Sequence, residues 1–78
     1  MTKDFDHPRP PERPAFSAKE KLGEVETELI FRRKVFDGQV ERGRMYRETR
    51  DKRIALMEAI RDDYARVVAR EEQAGRLL

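Results

Sequence analysis

Apolar residues recur at helical spacing in two stretches of this chain. Ile54, Met57, Ile60, Tyr64, Val67 and Val68 follow one another at intervals of three and four, while Arg50, Asp51, Arg53, Glu58, Asp62 and Arg66 fill the remaining positions. That pattern puts an apolar stripe along one side of an α-helix. Upstream, Leu22, Val25, Leu29 and Phe36 make a second stripe, which Ile30 widens. Ser17 and Glu20 have the Ser-x-x-Glu form of a capping box, and Phe16 is placed to act as a hydrophobic staple before it. Glu20, Glu24 and Glu28 make the early turns acidic and Arg32, Arg33 and Lys34 make the later ones basic, the polarity a helix dipole favours.

Between the stripes, Asp37-Gly38 interrupts the pattern, residues 39–42 can form one further turn, and Gly43 can supply a left-handed stop. Val40 and Met45 would cap the apolar layer at that end. The second helix is expected from Arg47 to Gln73, with Gly75 as its natural end and Arg76 to Leu78 as a fraying tail. Ala55, Ala59, Ala65 and Ala69 favour helix and permit close approach of a neighbour. Two helices joined by a short turn return antiparallel. The expected fold is therefore all-α: an antiparallel helical hairpin, coiled-coil-like, occupying residues 16–78. Its helices cover about 17–36 and 47–73, with an extra helical turn over 38–42. Ile54, Met57, Ile60 and Tyr64 are assigned to the core, leaving Ile30, Val67 and Val68 as an apolar edge for a second subunit or a partner.

Residues 1–15 read differently. Pro8, Pro10, Pro11 and Pro14 are all the prolines of the chain, and they are interspersed with charge. They predict an extended or disordered arm with polyproline II character, presenting Phe5, Pro10 and Pro11. At 78 residues the chain is one domain at most, near the size at which a single core is marginal. A two-helix layer leaves the outer edges of both stripes wet, so self-association or completion by a partner is expected, most simply as a dimeric four-helix bundle.

Composition excludes much chemistry. There is no cysteine, hence no disulfide, thiolate metal site or cysteine nucleophile. The one histidine, His7, lies in the proline arm, away from any second ligand or nucleophile. Asp62-Asp63 and Glu71-Glu72 are adjacent pairs, and on a helix adjacent side chains diverge by about 100°, so neither pair shares a site. The four glycines are isolated and make no phosphate loop. The reading is a non-enzyme without cofactor, metal or small-molecule substrate. No apolar run approaches a membrane span and no secretory h-region is present, which predicts a cytoplasmic protein with no membrane partner.

Charge adds a candidate surface. Charged residues are 44% of the chain yet the net charge is only +2, so acids and bases are interspersed. From Arg32 to Arg53 nine bases face four acids, a local +5 that a hairpin gathers at its turn. Arg32, Arg33, Arg42, Arg44, Tyr46, Arg47, Arg50 and Arg53 are the candidate contacts there, for an acidic protein surface or for nucleic-acid phosphates.

The residues Glu28-Leu29, Arg32 to Phe36, Val40, Gly43-Arg44-Met45, Asp51, Ile54-Ala55 and Met57 to Ile60, with Tyr64, resemble a family of short uncharacterised helical proteins encoded by proteobacterial phages and prophages. The resemblance covers residues 22–64, over half of the chain. Departures are Asp37 and Gln39, where that family commonly has proline and tryptophan, and Tyr46, where a serine or threonine would cap the second helix. It implies a mobile-element origin and supplies no catalytic residue. The expected function is that of a small interaction protein that binds and modulates a host protein or nucleoprotein machine. A nucleic-acid-binding accessory protein and a structural component of a phage particle are the alternatives.

Overall fold

A computed structural model describes residues 14–77 as two α-helices, α1 (Ala18–Glu41) and α2 (Arg47–Leu77), packed against each other as a helical hairpin. The proline-rich arm expected over residues 1–15 lies outside the described residues as far as Arg13, together with Phe5 and His7, and Leu78 also falls outside them.

The start of α1 follows the expected chemistry. Ser17 Oγ accepts from the Glu20 backbone N–H at 3.0 Å, and Glu20 Oε1 accepts from the Ser17 backbone N–H at 3.0 Å, so each residue satisfies a donor the other exposes. Phe16 does not complete a staple. The residue one turn into the helix that it would meet is Lys21, and Phe16 stays 57% exposed. The two bonds from Ser17, backbone first, hold the Glu20 carboxyl below its usual range. A carboxyl lowered in the folded state stabilises the fold above its unfolded value and loses that contribution as pH falls through the folded one. Helicity at the α1 start is therefore expected to weaken below pH 4.5 in an acid titration followed by circular dichroism, and the Glu20→Gln variant should show less of that change.

The stop of α1 is later than the sequence pattern suggests. Asp37-Gly38 does not interrupt the helix, which runs unbroken to Glu41. Neither residue lacks a backbone N–H, so the ladder passes through, and Gly38 O accepts from the Arg42 N–H at 3.0 Å. Gly38 also leaves room for Arg42, whose Nη1 would lie 3.3 Å from any Cβ placed there. Gly43 ends the helix as expected, with φ at +72°. The Gly43 N–H donates to Val40 O at 3.0 Å and the Arg44 N–H to Gln39 O at 2.8 Å, the paired bonds of a Schellman stop.

Helix α2 begins at the expected Arg47 but continues through Gly75 to Leu77, past the expected end at Gln73. A glycine weakens a helix interior by up to about 1 kcal/mol without removing a hydrogen bond, so it need not terminate one. Tyr46 occupies the cap position of α2: its carbonyl accepts the first helical bond, from Arg50 N at 3.0 Å, but the residue is 81% exposed and is not one of the short polar side chains that cap a helix. Tyr46→Ser should supply that cap and stabilise the hairpin by about 1 kcal/mol. Thermal melts should show a rise of about 4–8 °C for a domain of this size.

The core is small and sits in the turn half. Leu29, Phe36 and Ile54 are buried, with Val35, Met45 and Met57 packed against them. Toward the open end, Leu22, Val25, Tyr64, Val67 and Val68 are only half-buried. Ile60, assigned to the core from its spacing, is 42% exposed. Relative to Ile54 it is six residues on, about 120° around from the contact line at 100° per residue, so α1 cannot cover it.

Candidate interaction surfaces

Two surfaces emerge from this frame: the turn and one flank. The turn comprises Arg42 to Tyr46, held by the Schellman bonds on one side and the first turn of α2 on the other. Arg42, Arg44, Tyr46 and Arg47 are exposed on it. Among the described residues none of these three arginines has a carboxylate within 4.0 Å. Met45 is turned inward against the core and anchors the loop from beneath. Asp37, Val40, Glu41, Arg47 and Arg50 line a shallow depression beside it.

The other candidate arginines are engaged elsewhere. Arg32 Nε donates to Glu28 at 2.9 Å along α1, and Arg33 Nη2 donates to Glu58 at 2.6 Å across the hairpin. Arg50 is the cross-brace of the turn, its guanidinium reaching Asp37 on α1 at 2.8 Å and Asp51 on α2 at 3.0 Å. The bond from Asp51 chiefly, with the charge of Asp37, holds Arg50 above the ordinary guanidinium value, so it is charged at every working pH. Arg53 lies over the Phe36 ring, 4.8 Å from its centroid, and keeps its donors free. Arg32 and Arg33 are thus drawn onto the body of the hairpin. From Lys34 to Arg53 seven bases and four acids remain, a local +3 rather than the +5 counted from Arg32. Structure brings Arg42, Arg44, Tyr46 and Arg47 together at one tip and assigns Arg33 and Arg50 to holding the helices.

The flanks of the hairpin differ. Lys21 Nζ sits 5.7 Å from the centroid of the Tyr64 ring, which puts both residues on one side. The Arg33–Glu58 bridge marks the other. At about 100° per residue, Val35 of α1 and Leu56, Ile60 and Val67 of α2 turn to the Lys21–Tyr64 side, as do Glu28 and Arg32, while Phe31 lies on the back of α1, about 160° from Leu29. Phe31 is 61% exposed and Leu56 56%. The bridge side is charged and alanine-lined, with Ile30, 69% exposed, as its large apolar residue. Of the expected apolar edge, Val67 belongs to the apolar flank, Ile30 to the charged one, and Val68 lies half-buried near the seam.

Phe31 and Leu56 were not marked by the spacing of the stripes, because each falls off its helix's main stripe. Their signal was the presence of large apolar residues at positions the stripe assigns to solvent. Among the described residues no group of three His, Cys, Asp or Glu side chains could hold a metal ion, and no helix is long and apolar enough to cross a membrane. Comparison with protein-family models, with curated proteins and with solved structures finds no match to this chain.

Proposed function

We propose that this is a non-enzymatic interaction protein, of phage or prophage origin, that binds and modulates a host protein or nucleoprotein machine in the cytoplasm. The basic tip makes the primary contact. One observation carries the reading: Arg42 and Arg44 of the braced five-residue turn, with Arg47 at the start of α2, have no acid partner among the described residues and flank an 81% exposed tyrosine. Arginine and tyrosine are the side chains most enriched where binding energy concentrates, since each presents a large planar surface with hydrogen-bonding capacity. A surface with no binding role gains nothing from holding them clear of the acids that neutralise Arg32, Arg33 and Arg50. The tip fits an acidic groove on a protein.

A second reading is favoured by the position of Tyr46 among the arginines, since an aromatic ring amid cations can stack on an unpaired base while phosphates meet the guanidinium groups. The two separate in one experiment. Immobilised full-length protein is exposed to host lysate with and without nuclease and then eluted along a salt gradient. Retention of a defined protein after nuclease supports the preferred reading. Retention that nuclease abolishes and that falls steeply with salt supports nucleic-acid binding. Retention of neither rejects both.

A further inference from the structure

We propose that the apolar flank is the seat of a second copy of this chain, packed antiparallel, so that the basic tip of each hairpin lies over the acidic open end of the other. The apolar residues of the flank lie mainly on α2, Leu56, Ile60, Tyr64 and Val67, with Val35 on α1 beside Lys21 and the Arg32–Glu28 pair. Its dimensions suit a stable pair. A helix of 24 residues is about 36 Å long, and two helices side by side are about 20 Å wide, so the face covers on the order of 700 Å². A standard interface takes about 800 Å² from each partner.

Charge decides the occupant and its direction. Residues 29–60, the tip half, carry nine bases and five acids, net +4. Residues 18–28 and 61–77, the open half, carry six bases and eight acids, net −2. Two such molecules side by side with tips together repel at the tips; reversed, each end meets its opposite. A twofold axis also requires each contact to occur twice, and the spacing on α2 meets that condition. Arg53 and Glu71 are both exposed and lie 18 residues apart, about five whole turns, so they share one line along the helix. Position 62 is their midpoint and also the midpoint of Ile60 and Tyr64. An axis there sets Ile60 of one copy on Tyr64 of the partner subunit, and Arg53 of one copy against Glu71 of the partner subunit. Glu71 has no basic partner within 4.0 Å among the described residues, and Arg53 has no acidic one.

Sedimentation equilibrium of the full chain, without nucleic acid or lysate, tests this. The expected result is a dimer whose dissociation constant rises at least tenfold in Leu56→Glu, an exposed site whose helicity by circular dichroism should be unchanged. Arg53→Glu and Glu71→Arg should each weaken the dimer about fivefold or more, and the double reversal should bring it back to within about threefold of the native value. A concentration-independent monomer overturns the proposal. So does a dimer that Leu56→Glu leaves intact, or one in which the double reversal is as weak as the sum of the singles, which would mean a parallel or shifted pairing. Dimerisation on removal of residues 1–13, from a monomeric full chain, also overturns it, because the arm would then be the flank's native cover. Since no partner is present in the cell, a negative result leaves the reading of the tip standing.

Discussion

Leu29→Ala is expected to leave the chain largely unfolded at room temperature. Leu29 is 1% exposed, the most enclosed side chain among the described residues, and it clusters with the two other buried residues there, Phe36 on its own helix and Ile54 across the seam. Truncating a fully buried leucine costs about 2.7–5 kcal/mol, part of it transfer free energy and part the cavity left behind. A domain of this size has a stability of only about 5 kcal/mol or so to lose, and three buried residues cannot redistribute the gap. The neighbouring Phe31→Ala is the control. It removes a larger side chain, yet one already 61% exposed, and should change the stability of the hairpin by less than about 0.5 kcal/mol. Thermal and urea melts at one fixed protein concentration make the comparison, because association would otherwise shift the midpoint by mass action. Equal losses for both variants would mean that the core is not where the burial places it.

The contrast between Leu29 and Phe31 also shows how far the chain's architecture can be read from residue order. Both helices, their antiparallel return, the capping box at Ser17 and the left-handed stop at Gly43 were legible, because each depends on local spacing or on one residue's backbone preference. Asp37-Gly38 and Gly75 misled for the complementary reason. They lower helix propensity, but propensity yields where the hydrogen-bond ladder is intact and a neighbour such as Arg50 engages Asp37. Ile60 misled because a stripe identifies one helix's apolar side without saying how much of that side a single partner helix can cover. A two-helix layer covers a narrow band, and Ile60 lies outside it. The candidate tip was partly legible. Counting arginines between residues 32 and 53 found the charge, whereas separating the free ones from the braced ones required knowing that Glu28, Glu58, Asp37 and Asp51 come within reach.

That separation leads to the second large expected effect. Replacing Arg42, Arg44 and Arg47 together by Glu should abolish binding at the tip while leaving the hairpin folded. The substitution changes the local charge by six units, turning +3 between Lys34 and Arg53 into −3. Charged groups desolvated at an interface cost about 2–5 kcal/mol when one partner is removed, and reversing the sign adds repulsion, so a loss of at least about a hundredfold in affinity is expected. Stability should move little. The three side chains have no carboxylate within 4.0 Å, and exposed surface changes are usually within about 0.5 kcal/mol. Arg50→Ala behaves in the opposite way. It breaks the cross-brace between Asp37 and Asp51, so it should lower stability, at a modest cost because both carboxylates can be rehydrated. Binding measured by fluorescence anisotropy or biolayer interferometry, with helicity followed in the same samples, separates these cases. A triple-glutamate variant that is folded and still binds at native affinity would move the working surface from the tip to the flank. A variant that binds nothing only because it has lost helicity would show instead that the turn's arginines hold the fold, against the geometry that leaves them free.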